Sequence, residues 1–133
     1  MNVETKQSTE EATALLLWNL LDLFNRGIFL ICATKKEQET MQLALRKQLT
    51  ARGVDLTSRL TNPWEVSGKC HKKNVYVHLC SEKDPGALES FAARHVVALG
   101  NVSLDFAIDK FKACQSRAPS WSCSLHILKE KQE

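Results

Sequence analysis

Apolar residues along this chain fall into several distinct rhythms, and each rhythm predicts an element. Ser8 and Glu11 have the S-x-x-E spacing of a capping box and open a leucine-rich helix over residues 9–25, closed by Gly27. Leu15, Leu16, Leu17, Trp18, Leu20, Leu21, Leu23 and Phe24 cover more than one face of it. A helix that is apolar nearly all round is buried on two sides or shared with a partner. Leu16, Leu20, Leu23 and Phe24 are therefore candidate partner contacts, as in helix-in-groove docking. The run Ile28-Phe29-Leu30-Ile31-Cys32-Ala33, between Gly27 and the polar Thr34-Lys35-Lys36, reads as a buried strand. Met41, Leu45 and Leu49 share one stripe and predict a second helix over residues 36–51, with Gly53 as its stop.

The pattern weakens over residues 54–62, which read as a loop. Pro63 then precedes an edge strand at 64–66, and residues 67–73 form a basic turn around Gly68. Val75, Val77 and Leu79 alternate with Tyr76 and His78, predicting a strand over 74–80. Asp84 as cap and Pro85 in the first turn predict a helix reaching about His95. Val102, Leu104, Phe106 and Ile108 alternate as in a strand over 102–109, although Leu104, Ile108 and Phe111 also fit a helix. Trp121, Cys123, Leu125 and Ile127 alternate in a closing strand over 120–129. This order predicts one domain over residues 1–133 of the α+β class. Its core at 28–109 is a ferredoxin-like split βαβ sandwich, an antiparallel sheet with two helices, flanked by an N-terminal helix and an extra C-terminal strand.

Composition narrows the picture. A chain of 133 residues that is 44% hydrophobic and 25% charged suits one globular core and excludes a wholly disordered chain. The net charge of +3 is small, but it is unevenly placed. Residues 1–27 sum to −2, while Lys69–Lys73 alone carry +3, so an acidic apolar arm stands against one basic tip. The cysteines Cys32, Cys70, Cys80, Cys114 and Cys123 are odd in number and include no C-x-x-C pair. They predict free thiols in a reducing intracellular compartment, cytoplasmic or nuclear, and no metal site. The polar residues 1–7 predict no signal peptide, and the apolar stretch 14–24 is too short to span a membrane. The glycines are isolated, no glycine-rich phosphate loop occurs, and no nucleophile motif flanks a cysteine. The expectation is a chain without catalytic residues or cofactor, and not an enzyme.

Two segments carry a family likeness. Ile28-Phe29-Leu30-Ile31-Cys32-Ala33 resembles the hexamer of the RNA recognition motif, with its aromatic at the second position. Lys72-Lys73-Asn74-Val75-Tyr76-Val77-His78-Leu79 is similar to that family's octamer, although Lys73 stands where glycine is usual and Asn74 where a second aromatic is usual. The resemblance implies single-stranded RNA as partner, with Phe29 and Tyr76 stacking on bases from an open sheet face. Lys69, His71, Lys72 and Lys73 would then meet the phosphates.

Two alternatives stand beside it. Phe29 and Tyr76 are core residues in one, with the lysines on an ordinary solvated hairpin. In the other, the leucine-rich helix or a sheet edge makes the chain a protein-interaction or self-assembly module. Exposure of Phe29 and Tyr76 discriminates between them.

Overall fold

The computed structural model describes residues 9–21, 27–71, 73–83, 93–117 and 123–128. The elements in chain order are α1 (Thr9–Leu20), β1 (Ile28–Cys32), α2 (Lys35–Ala51), β2 (Asp55–Leu56), β3 (Glu65–Cys70), β4 (Lys73–Ser81), β5 (His95–Leu99), α3 (Leu104–Arg117) and β6 (Ser124–Leu128). They build one six-stranded sheet in the order β2-β3-β4-β1-β5-β6. β1 runs parallel to both β4 and β5, and β6 runs parallel to β5, while β2 and β3 are antiparallel additions beyond β4.

The ferredoxin-like sandwich is thus overturned, for three local reasons. The first is β5: His95-Val96-Val97-Ala98-Leu99 has no alternation, because a parallel strand covered on both faces is apolar throughout. The expected helix from Pro85 lies outside the described residues, and its predicted end at His95 is instead the start of this strand. The second is Ser103–Cys114, which resolves as helix. Ala107 and Cys114 are buried while Leu104 is 56% exposed, so the period of 3.6 prevails over the period of two. The third is the C-terminal strand, which joins the same sheet in parallel beside β5.

Other expectations differ only in extent. α2 and β4 fall where predicted, and β1 is buried at all five positions. The basic turn is mostly strand, since β3 continues through Lys69 and pairs residue by residue with β4. Part of the predicted 54–62 loop is β2, laid against Gly68.

Strand parity sorts the side chains. Ile28, Leu30 and Cys32 share one face with Val77, Leu79 and Ser81, and Phe29 and Ile31 share the other with His78 and Cys80. Right-handed crossovers send α2 to one face on the way from β1 to β4 and α3 to the opposite face on the way from β5 to β6. α1 packs on α2, where Lys73 Nζ donates to the carbonyls of Trp18 and Leu21 at 2.8 Å each and lies 4.8 Å from the Trp18 ring centre. A cation there caps the negative end of α1. No helix among the described residues is long and apolar enough to cross a membrane.

Two substitutions test these contacts, and a third serves as their control. A Cβ at Gly68 would stand 2.5 Å from the Asp55 carbonyl oxygen, so Gly68→Ala should push β2 off the edge and cost about 1–3 kcal/mol in urea denaturation. Lys73→Met should cost about 1–2 kcal/mol through the lost α1 cap. Lys69→Met, at an exposed position, should stay within about 0.5 kcal/mol of the parent.

Candidate functional site

Among the described residues expected to bind nucleic acid, Phe29 is withdrawn from any open surface. Phe29 is fully buried at the centre of the sheet, where no base could stack on it. Its ring lies 5.5 Å from that of His78, whose Nε2 is 2.8 Å from the Tyr76 hydroxyl, with one of the two atoms donating. Tyr76 is half-buried. Burial, aided by the Glu65 charge, raises its pKa, while burial lowers that of His78 against the opposing pull of Glu65 and the Trp64 backbone. Lys69 is exposed opposite Asp55, His71 is exposed in the turn, and Lys73 is turned onto α1. Lys72 lies outside the described residues. Of the proposed partner contacts, Leu16 and Leu20 pack against the core, and Leu23 and Phe24 lie outside the described residues.

The polar side chains that do converge sit at the carboxyl ends of β1, β4 and β5. Thr34 caps α2, its Oγ1 accepting from the Glu37 backbone N–H at 3.1 Å. Glu37 folds back: Oε1 accepts from the Ala33 N–H at 3.1 Å, and Oε2 accepts from Asn101 Nδ2 at 2.8 Å. Beyond β4, Glu82 donates its N–H to the Cys32 carbonyl at 3.1 Å and accepts from the Ser103 N–H through Oε1. Ser103 in turn starts α3, accepting from Ala107 through its carbonyl at 3.0 Å.

The geometry follows from topology. The chain leaves adjacent strands β1 and β5 toward opposite faces, which makes the space outside their carboxyl ends a topological switch point, the crevice where ligands bind in open α/β sheets. The amino ends of α2 and α3 both face it, bringing partial positive charge. Each holds a carboxylate of the chain itself, Glu37 on α2 and Glu82 on α3. Lys35 and Lys36 are exposed in the first turn of α2. Burial strongly raises the Cys32 thiol pKa, with Glu37 and Cys80 adding, so this cysteine stays a protonated core residue.

No protein-family model and no curated sequence matches this chain. Solved structures do. The large terminase of a thermophilic bacteriophage matches with a TM-score of 0.66 at 12% identity, over 96% of this chain and 32% of that one. The large terminase ATPase domain of a Thermus phage matches with a TM-score of 0.64 at 13% identity, over 96% of this chain and 58% of that one. The chain is similar in fold to terminase ATPase domains. It spans a third to just over half of the length of those structures. The parallel sheet and this likeness in fold overturn the ferredoxin-like sandwich, the burial of Phe29 overturns base stacking on RNA, and a fold shared with ATPase domains stands against the expectation of a chain that is not an enzyme.

Sequence reasoning missed this site: the Thr34-x-x-Glu37 capping-box spacing is a local signal that could have marked two of its residues, whereas Glu82, Asn101 and Ser103 become neighbours only through the parallel strand order. The buried imidazole makes a pH prediction. His78 has a folded pKa below the usual 6.5, as does His126 through burial, so the unfolded chain binds more protons in this range. Stability should therefore be full above about pH 6.5 and decline as the pH falls toward the depressed folded values. Urea midpoints measured between pH 7.5 and 5.5 should show that decline, and His78→Gln should shrink it.

Proposed function

We propose that this chain forms the nucleotide-facing part of an ATPase-type domain, taking a magnesium nucleoside triphosphate into the crevice between β1 and β5. The observation that carries the reading is the Asn101–Glu37 hydrogen bond, which ties the two loops of the switch point together on a sheet shared with ATPase domains. Phosphate oxygens would take the Ala33 and Ser103 N–H groups that Glu37 and Glu82 now occupy, with Lys35 and Lys36 balancing charge. The displaced carboxylates would then face the hydrated magnesium ion, as carboxylates do in nucleotide sites.

A second reading has its own support. The pattern GxxxxGK[ST], whose backbone and lysine cradle phosphates, occurs nowhere in the sequence, and β5 runs out into Gly100-Asn101, with no carboxylate at its end. These features suit a site that binds nucleotide without hydrolysing it.

Equilibrium titration with a fluorescent ATP analogue, with and without Mg2+, tests both, alongside phosphate release. Magnesium-dependent binding that weakens about tenfold or more in Glu37→Gln supports the crevice. Phosphate release decides for the first reading, and binding without release for the second. No binding at millimolar nucleotide would overturn both.

A further inference from the structure

Away from the crevice, two of the chain's four histidines meet on the other end of the sheet. His95 opens β5, and His126 lies on the edge strand β6, two residues beyond the direct neighbour of His95. Parity puts both on one face, with Ser124 beside them on that same face. His95 Nδ1 and His126 Nε2 are 3.1 Å apart, their ring centres 5.2 Å apart and their planes at 44°. Both side chains are half-buried, so the pair is open to water and ions.

We infer that His95 and His126 form a binding site for a first-row transition-metal dication such as Zn2+. Imidazole nitrogens are the ligands such ions favour among neutral side chains. Two nitrogens bound to one ion at about 2.0–2.1 Å, with angles from square to tetrahedral, stand roughly 2.9–3.4 Å apart. The observed separation lies inside that range before any ion arrives. The strand register, not a long flexible segment, sets it, so little ordering is needed on binding.

The protons balance without loss. One ring now donates an N–H to the other. Coordination through Nδ1 of His95 and Nε2 of His126 requires that proton to move to the far nitrogen of its own ring, through water, leaving both imidazoles neutral. Burial already favours the neutral form of His126. Among the described residues no group of three or more His, Cys, Asp or Glu gathers as a metal cluster, so the two imidazoles are the ligands the described residues supply.

Imidazole NMR signals of the full chain, titrated with ZnCl2 at pH 7.5 and again at pH 5.5, test the site. The expected result is joint movement of the His95 and His126 signals, saturating at one ion per chain, with His71 and His78 unmoved. Binding should fall by about tenfold or more in both His126→Gln and His95→Gln, persist in Cys123→Ser, and weaken at pH 5.5 as protons compete. Urea midpoints without metal confirm that the variants fold. The inference is overturned if the His71 or Cys123 environment responds first, or if both histidine variants bind Zn2+ as tightly as the parent.

Discussion

Every residue of β1 is shut away from water, and the strand has a parallel neighbour on each edge. Most of the architecture follows from that constraint. Parallel neighbours require crossover connections long enough to hold a helix, and both faces of the sheet then need covering. α2 meets one requirement on the way to β4, with β2 and β3 added as an antiparallel margin before the chain returns. α3 meets the other on the way to β6. Because the chain leaves β1 and β5 toward opposite faces, the crevice at their carboxyl ends is a consequence of packing β1 in the middle. The proposed site lies where the hydrophobic solution leaves a gap.

The polar network in that gap is frugal. Three loops meet there, and the side chains of Glu37 and Glu82 each tie one loop to another across strands. Buried or half-buried carboxylates on helix amino ends are favourable there because the aligned peptide dipoles hold them. The same arithmetic makes those positions suited to a phosphate, whose charge is larger. The basic turn at His71 sits at the opposite end of the sheet, so the positive charge that stood out in the sequence is remote from the place where the backbone geometry favours anions.

Much of the local structure was legible in the sequence, and the misreadings have a common physical cause. α2 declared itself through Met41, Leu45 and Leu49, and β4 through Val75, Val77 and Leu79, because each has one covered face and a clear period. β5 could not, since Val96 and Val97 are both buried and leave no alternation to see. Ser103–Cys114 offered two periods, and only the exposure of Leu104 beside the burial of Ala107 separates them. Once β5 was missed and α3 read as a strand, parallel connections looked like antiparallel ones. The likeness of 28–33 and 72–79 to RNA-binding motifs then rested on Phe29, an aromatic that serves the core. Of the candidate site, only the Thr34–Glu37 spacing could be read locally. Asn101 and Glu82 belong to it through strand order alone.

The central claim is that the crevice between β1 and β5 is the ligand-binding feature of this sheet. Amide hydrogen exchange of the chain, with and without magnesium and ATP, tests it most directly. The account predicts that Phe29–Ile31 exchange most slowly in both conditions, and that nucleotide slows exchange in the segments Ala33–Glu37 and Gly100–Ser103. Unchanged exchange in those two segments at saturating nucleotide, or new protection confined to the His71 turn, would contradict it.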